Sequence, residues 1–367
     1  MEERNYWLPF SVFPGIGPAK FKLLLKHFGS AKSAWEATKF DLAKLLGEKL
    51  TEKLADFRSK FSIAQYSNDL KKKNVWFLIL TDKDYPQDLL KINNPPFVLY
   101  GKGNPSLLCS SWPSVAVVGA RRTTQYGREV TKLLTTDLVL SGFTIVSGLA
   151  MGVDAVSHQA AVDNNGRTIA VLGCGVDCCT PSENRKLYNS ILQGQGVIIS
   201  ELPLGEPPSR GSFPARNRII AGLSLGVLVT EGAEDSGSLI TAEFARKFNR
   251  KIFAVPGPIT SSMSKGPYSL IKKGAKLVVS VSDILNELKF PISNSQFSNK
   301  SKNTKFKTAV KEEQVILDLL QNEAVHFDEI VRRLQLDSAK VGSLLSMMEI
   351  KGLIKSLDGG AYATCEA

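Results

Sequence analysis

Short, nearly continuous runs of apolar residues recur at regular intervals through the middle of the chain. They lie at Val115–Val118, Thr144–Val146, Thr168–Leu172, Val197–Ile199, Val227–Val229, Ile252–Val255 and Leu277–Val279. Such runs are typical of parallel strands that are buried on both faces. Stretches with helical periodicity separate them, among them Tyr126–Leu140, Val153–Asp163 and Leu239–Phe248. The pattern predicts an α/β fold with a doubly wound, mostly parallel sheet over residues 66–290.

The first part of the chain, residues 1–65, has a helical pattern instead. Its clearest unit places apolar residues at helical spacing, namely Phe21, Leu24, Leu25 and Phe28. Pro18 suits the first turn of that helix, and Gly29 suits its end. Gly15 and Gly17 precede it, so the segment predicts a SAM-like or helix-hairpin-helix domain. Such a hairpin either contacts a DNA phosphate or only joins two packed helices, and the sequence leaves both open.

Two further segments follow the predicted sheet. Residues 291–309 are rich in Ser, Asn and Lys, which predicts a flexible basic linker. Residues 310–367 show three helical patterns and then a hairpin signal at Asp358-Gly359-Gly360, as in a winged helix. The third helix, Ser338 to Lys351, would be its recognition helix. It carries only Lys340 and Lys351 against Glu349, so we interpret this domain as an interaction or accessory module.

Charge and cysteine content narrow the function class. Among 367 residues there are 46 Lys plus Arg and 35 Asp plus Glu, a formal charge of +11. This excess suits an anionic partner such as nucleic acid. No apolar run approaches a membrane span, and the acidic start is unlike a signal peptide. Five cysteines, an odd number, argue against a disulfide framework. We therefore predict a cytoplasmic protein without a membrane segment.

Glycine-rich loops follow the first two parallel strands. Gly119, Arg121 and Thr124 lie in the first loop, where a helix N-terminus would offer free amides to an anion. Ser147, Gly148 and Gly152 lie in the second loop and line the same edge of the sheet. Neither loop matches the phosphate-binding GxxxxGK[ST] or the dinucleotide-binding GxGxxG pattern. Asp154 and His158, four residues apart, could do acid-base chemistry, but such a pair more often only fixes a side chain.

The densest basic stretch of the chain is Pro208–Arg218. It contains Arg210, Phe213, Arg216, Asn217 and Arg218. Arginine pairs with phosphate and an aromatic ring can stack on a base, which favours single-stranded nucleic acid. In the structural alternative, one arginine pairs with an acid such as Glu231 and Phe213 belongs to the core.

A helix start after the fifth strand offers another anion site. Ser236, Gly237 and Ser238 open this helix, and Thr241 lies in its second turn. Glu231, Glu234 and Asp235 could hold magnesium, but acids beside a helix start are commonly caps, and we predict no metal and no cofactor. The GxSxG spelling at Gly222–Gly226 is followed by a strand rather than a helix, so it is not a nucleophile elbow.

Together these loops resemble the DNA-processing protein A family, also called DprA or Smf. The resemblance rests on motifs in the same order, including GARxxTxYG from Gly119, SGLAxGVD from Ser147, FPxRNRII from Phe213 and SGSLITA from Ser236. It implies an extended Rossmann-like sheet and a non-catalytic protein that binds single-stranded DNA, forms a homodimer and loads the RecA recombinase in natural transformation. It further implies that Arg121 contacts phosphate and that Phe213 stacks on a base. The chain departs from the family pattern at Arg210, usually lysine, and at Ala120, usually serine or threonine.

Two other functions remain open at this stage. A nucleotide-processing enzyme similar to the lysine-decarboxylase-like phosphoribohydrolases would use the same fold. Those enzymes carry PGGxGTxxE where this chain has Glu231–Gly237, which argues against that function. Alternatively, the winged helix would make the protein a sequence-specific regulator of duplex DNA.

Overall fold

A computed structural model of the chain describes residues 2–108, 112–290, 311–320, 324–334, 336–350, 353–357 and 359–364. The chain divides into two compact units, Met1–Pro291 and Ile292–Ala367. The predicted linker, residues 291–309, lies outside the described residues. The boundaries predicted for the four segments therefore stay predictions.

Nine strands form one sheet in the first unit. They are β1 (Trp76–Ile79), β2 (Val98–Gly103), β3 (Ser114–Val118), β4 (Thr144–Ser147), β5 (Thr168–Val171), β6 (Gly196–Ser200), β7 (Gly226–Val229), β8 (Lys251–Ala254) and β9 (Lys276–Leu277). Their order is β1-β2-β6-β5-β4-β3-β7-β8-β9. The strands from β3 to β9 pair in parallel, and β2 is antiparallel to both β1 and β6. The predicted doubly wound, mostly parallel sheet is confirmed.

The strand order reverses direction at β3. From β3 the chain adds β4, β5 and β6 on one side, and then returns to add β7, β8 and β9 on the other. In open α/β sheets such a switch point opens a crevice at the carboxyl ends of the strands, where ligands bind. The loops after β3 and β7 flank this crevice. The fold thus places the loop with the GARxxTxYG motif beside the loop with the SGSLITA motif.

Helices cover the sheet and connect its strands. They are α7 (Gln87–Leu90), α8 (Gln125–Leu140), α9 (Val153–Asp163), α10 (Arg185–Gln193), α11 (Ser212–Leu223), α12 (Gly237–Lys247), α13 (Lys265–Lys272) and α14 (Val281–Glu287). Residues of β3 and β7 are entirely buried between these layers. The main core therefore lies directly below the crevice and fixes the starting points of its loops.

The first part of the chain is helical, as predicted. Its helices are α1 (Trp7–Val12), α2 (Pro18–Phe28), α3 (Ala31–Glu36), α4 (Lys39–Leu46), α5 (Glu48–Lys60) and α6 (Ile63–Lys72). Pro18 is the first residue of α2, and Gly29 ends it with φ 78°. Phe21 stacks on Phe97, with ring centroids 4.2 Å apart, so these helices share a core with the β1-β2 end of the sheet. Contact of the Gly15 hairpin with DNA stays a prediction.

The second unit contains the predicted three helices and small sheet. The helices are α15 (Lys311–Leu319), α16 (Phe327–Leu334) and α17 (Ser338–Ile350). The strands β10 (Val325–His326), β11 (Ile354–Leu357) and β12 (Ala361–Thr364) pair antiparallel in the order β10-β12-β11. Gly359 and Gly360, both with positive φ, form the turn between the last two strands. The three helices and the small sheet pack around an apolar core of their own and form a winged helix.

Candidate nucleic-acid interface

A cavity of about 540 Å³ occupies the crevice at the switch point. Its walls are the loops after β3 and β7 and the first turns of α11 and α12. Most of the predicted site residues line it, namely Gly119, Arg121, Arg210, Phe213, Arg216, Asn217, Ser236, Gly237, Ser238 and Thr241. The fold therefore brings together side chains from loops that are more than a hundred residues apart.

Cations and one aromatic ring define the chemistry of the open side. Arg121, Arg122 and Arg210 are exposed at the cavity. The guanidinium carbon of Arg121 lies 5.2 Å from the centroid of the half-buried Phe213 ring, in a cation–π contact. Arg210 makes no ion pair within the described residues. The cavity thus offers exposed positive charge next to a stacking surface.

Arg216 lies beneath this surface instead of on it. Its side chain is 6% exposed, and Nη1 donates to the carbonyls of Gly148 and Val171, both at 2.6 Å. Nε donates to Oδ1 of Asn217 at 3.0 Å. A Cβ at Gly148 would lie 2.0 Å from Nη1, so only glycine fits against this guanidinium. Arg216 therefore ties the loop after β4 to the end of β5 and forms the cavity floor.

Asp154 provides a buried negative charge below the same floor. Its carboxylate accepts from the backbone amides of Gly148 at 3.1 Å and Ala150 at 3.4 Å. Burial raises the pKa of Asp154, and the positive charge of Arg216 opposes that rise. Asp154 thus shapes the second loop. It does not work with His158, whose Nδ1 hydrogen-bonds Oγ1 of Thr168 at 2.7 Å. Burial lowers the pKa of His158 to about 3.

A carboxylate of the protein itself binds the two threonines that precede α8. Glu231 accepts from the amide of Thr124 at 2.9 Å, from its hydroxyl at 2.6 Å and from the Thr123 hydroxyl at 2.8 Å. The amide and hydroxyl of Thr124 therefore already have a partner within the protein, and anion binding by the rest of the first loop stays a prediction. Glu231 is 107 residues from Thr124, so no local pattern shows this contact.

The N-terminus of α12, in contrast, opens into the cavity. The first-turn amides of a helix have no partner within the helix, and they attract anions. Gly237 is exposed, and a Cβ added there would meet no atom within 4 Å. Asn217 Nδ2 donates to the Gly237 carbonyl at 3.2 Å, which fixes the start of α12 against α11. Ser236 Oγ accepts from the Ser238 amide at 3.4 Å, so the exposed Gly237 is the residue through which α12 can offer an amide to the cavity.

The remaining predicted site residues lie outside the cavity lining. They are Thr124, Ser147, Gly148, Gly152 and Arg218. The buried Ser147 hydroxyl donates to the Val117 carbonyl at 2.7 Å, and Gly152 has φ 77°, which favours glycine. Arg218 pairs with Glu201 at 2.5 Å, not with Glu231. These residues support the loops that form the cavity.

Ten of the lining residues were not among the predicted ones, and Arg122, Ile240 and Met263 are those with long side chains that are not buried. Arg122 stands at an unspecified position of the GARxxTxYG motif, and Ile240 is the isoleucine of the SGSLITA motif. The sequence predicted neither as a ligand contact. Met263 lies in a short 3-10 helix after β8, Ser262–Ser264, and reaches the cavity from a loop without any motif signal.

The cysteine cluster, Cys174, Cys178 and Cys179, lies apart from the cavity lining. Within the described ranges, no group of three or more His, Cys, Asp or Glu side chains could hold a metal. Burial raises the pKa of Cys174 to about 11, and it also raises the pKa of Cys178 and Cys179. These thiols therefore stay protonated at neutral pH. No helix in the described part of the chain has the length and apolar character needed to cross a membrane.

Comparison with known proteins places this geometry in a family. The model of the family described as DNA recombination-mediator protein A matches residues 76–289, and that of the DprA winged helix domain matches residues 306–360. A protein named Smf from a Synechocystis species is 43% identical over 290 residues, covering 78% of this chain and 73% of the relative. DNA processing protein DprA of Bacillus subtilis is 42% identical over 219 residues, covering 60% and 72%.

Solved structures agree with the sequence matches. The X-ray structure of DNA processing protein A from Streptococcus pneumoniae has a TM-score of 0.69 at 37% identity, covering 77% of this chain and 97% of that one. A structure of the Helicobacter pylori protein, solved to explain its single-stranded DNA binding mode, has a TM-score of 0.52 at 32% identity, covering 58% and 95%. The chain therefore belongs to the DNA recombination-mediator protein A family.

Proposed function

We propose that this protein binds single-stranded DNA in the cavity at the switch point and acts on it without catalysing a reaction. One observation carries the proposal: exposed arginines and a half-buried phenyl ring surround the open N-terminus of α12 in one cavity. A phosphate needs cations and amide donors, and an unpaired base needs a flat apolar surface. Duplex DNA hides its bases, so this combination favours a single strand. The single-stranded DNA binding of the Helicobacter pylori relative supports it.

Each part of the cavity has its own role in this proposal. Arg121, Arg210 and the first turn of α12 at Gly237 and Ser238 contact phosphates. Phe213 stacks on one base, which replaces the Arg121 guanidinium on the ring and frees it for a phosphate. Arg216 and Asn217 hold the floor. The residues outside the lining keep the loops in place and do not touch DNA.

The wider function that we propose follows from family membership. The protein protects incoming or exposed single strands and loads the RecA recombinase onto them, in natural transformation and homologous recombination in the cytoplasm. We further propose a homodimer through the stretch Tyr268–Val279. Its support is β9, an edge strand of the sheet, where Leu277 is 43% exposed, and Val279 just after it, which is 69% exposed. Apolar groups on an edge strand favour pairing with another chain.

Fluorescence anisotropy tests the binding site. Labelled oligo-dT and a matched duplex are titrated over a salt series with wild type, Arg121→Ala and Phe213→Ala. We expect tight, salt-sensitive binding to oligo-dT, with about fivefold or greater loss in Phe213→Ala, since stacking contributes about 1–3 kcal/mol per base. Arg121→Ala should also weaken binding, because it removes a phosphate contact. Equal or better binding of the duplex, unaffected by Arg121→Ala, would contradict the proposal.

A second measurement tests the absence of turnover. The protein is incubated with nucleoside monophosphates, and free base is measured by chromatography. We expect none, because the buried Glu231 is held by Thr123 and Thr124. Release of base by wild type, lost with Glu231→Gln, would instead make the cavity an enzyme active site.

A further inference from the structure

Aliphatic side chains line part of the cavity beside the proposed phosphate site. Ile240 lies on the first turns of α12, three residues after Gly237, so both residues share a face of the helix. That face lines the cavity, and Ile240 is 38% exposed there. Met263 lines the same cavity from the short 3-10 helix after β8. The exposed Ile240 and the half-buried Met263 therefore give the cavity an apolar surface that an apolar ligand group could cover.

The phosphate site lies next to two apolar surfaces from different elements. Phe213 comes from the first turn of α11, and Ile240 comes from α12, whose open N-terminus lies in the same cavity. In a single strand, each bridging phosphate joins two nucleosides. A phosphate on the first turn of α12 therefore leaves a nucleoside on either side of it. Phe213 accounts for only one of the two bases.

We propose that Ile240 and Met263 form a second base subsite. It takes the base next to the one on Phe213, and the phosphate that joins the two nucleosides sits on the N-terminus of α12. This inference rests on the proposed function. It makes a dinucleotide step the smallest unit that fills the cavity. The subsite recognises the apolar face of a base and carries no charge, so its contribution is independent of salt.

Anisotropy with the full-length chain separates this subsite from the phosphate contacts. The ligands are labelled oligo-dT and an oligonucleotide of equal length that carries only abasic sites. We expect Ile240→Ser to weaken oligo-dT binding about fivefold, as partial loss of one buried aliphatic contact predicts. The slope of log affinity against log salt should not change, because no phosphate contact is removed. On the abasic strand, wild type and Ile240→Ser should bind equally.

Two further variants make the result specific. Met263→Gln should have the same base-dependent effect as Ile240→Ser. Leu133→Ser is the matched control, since Leu133 is an aliphatic residue of α8 with 59% exposure that does not line the cavity. It should bind both ligands as wild type does.

Unchanged oligo-dT binding by both Ile240→Ser and Met263→Gln would overturn the subsite and leave the proposed function standing. An equal loss on the abasic strand would also overturn it, since the base would then be irrelevant. If wild type bound neither strand, the proposed function itself would fail.

Discussion

Three arginines of one short stretch have equal charge but different surroundings in the fold. Arg210 is exposed at the cavity, Arg216 is buried in its floor, and Arg218 pairs with Glu201. Arg216→Met should lower the free energy of unfolding by about 3 kcal/mol, because two carbonyls lose their donor and Asp154 loses its nearby cation. Chemical denaturation measures this.

Arg210→Met is the matched control for that measurement. Its side chain has no ion pair within the described residues, so stability should stay within about 0.5 kcal/mol of wild type. Its affinity for oligo-dT should fall, and the salt slope should become about 0.7 smaller in magnitude, as the loss of one phosphate contact predicts. If instead Arg216→Met were as stable as wild type, Arg216 would not hold the floor.

His158 should make stability depend on pH. Its pKa is about 3 in the folded chain, against 6.5 for an unperturbed histidine. Between these values the unfolded chain binds a proton that the folded chain does not, so stability falls as pH decreases from 6.5 towards 3. From pH 6.5 to 5 this loss should reach about 2 kcal/mol. Urea unfolding at several pH values should show a shallower dependence in His158→Gln, and parallel curves would contradict the burial of a neutral imidazole.

At the scale of elements, one substitution at the start of α12 should raise stability and weaken DNA binding. Gly237→Asp places a carboxylate at the open helix N-terminus, where it should stabilise the helix by about 0.3–1 kcal/mol. The same carboxylate occupies the proposed phosphate site, so oligo-dT binding should weaken at least tenfold. Thermal unfolding and anisotropy measure the two effects, with Gly237→Ala as the uncharged control. A variant that is stabilised but binds normally would place the phosphate elsewhere.

The elements differ in how well the sequence predicts them. Parallel strands such as β3 and β7 were predicted to within one residue, because burial on both faces demands continuous apolar residues. The antiparallel β2 was not predicted, since its Val-Leu-Tyr-Gly-Lys-Gly sequence ends without a clear pattern. The carboxylate contact at the start of α8 could not be predicted either. It depends on Glu231, which reaches α8 from a distant loop.

At the scale of the whole molecule, positive charge is distributed unevenly. Residues 292–367 contain ten Lys plus Arg and ten Asp plus Glu, so the formal charge of +11 falls entirely on residues 1–291. The cavity and its supporting core also lie within the first unit. Electrostatic attraction for a single strand should therefore reside in the first unit alone.

Deletion of residues 292–367 tests whether the first unit alone attracts the single strand. We expect the shortened chain to bind oligo-dT within about twofold of the full-length affinity and with the same salt slope, because no cavity residue and no net charge is removed. Anisotropy over the salt series measures both quantities, and a thermal unfolding transition shows that the shortened chain is folded. Arg121→Ala in the shortened chain should lose binding as in the full-length protein, which shows that the same cavity is used. A tenfold loss on deletion alone would instead assign a DNA contact to the linker or the winged helix.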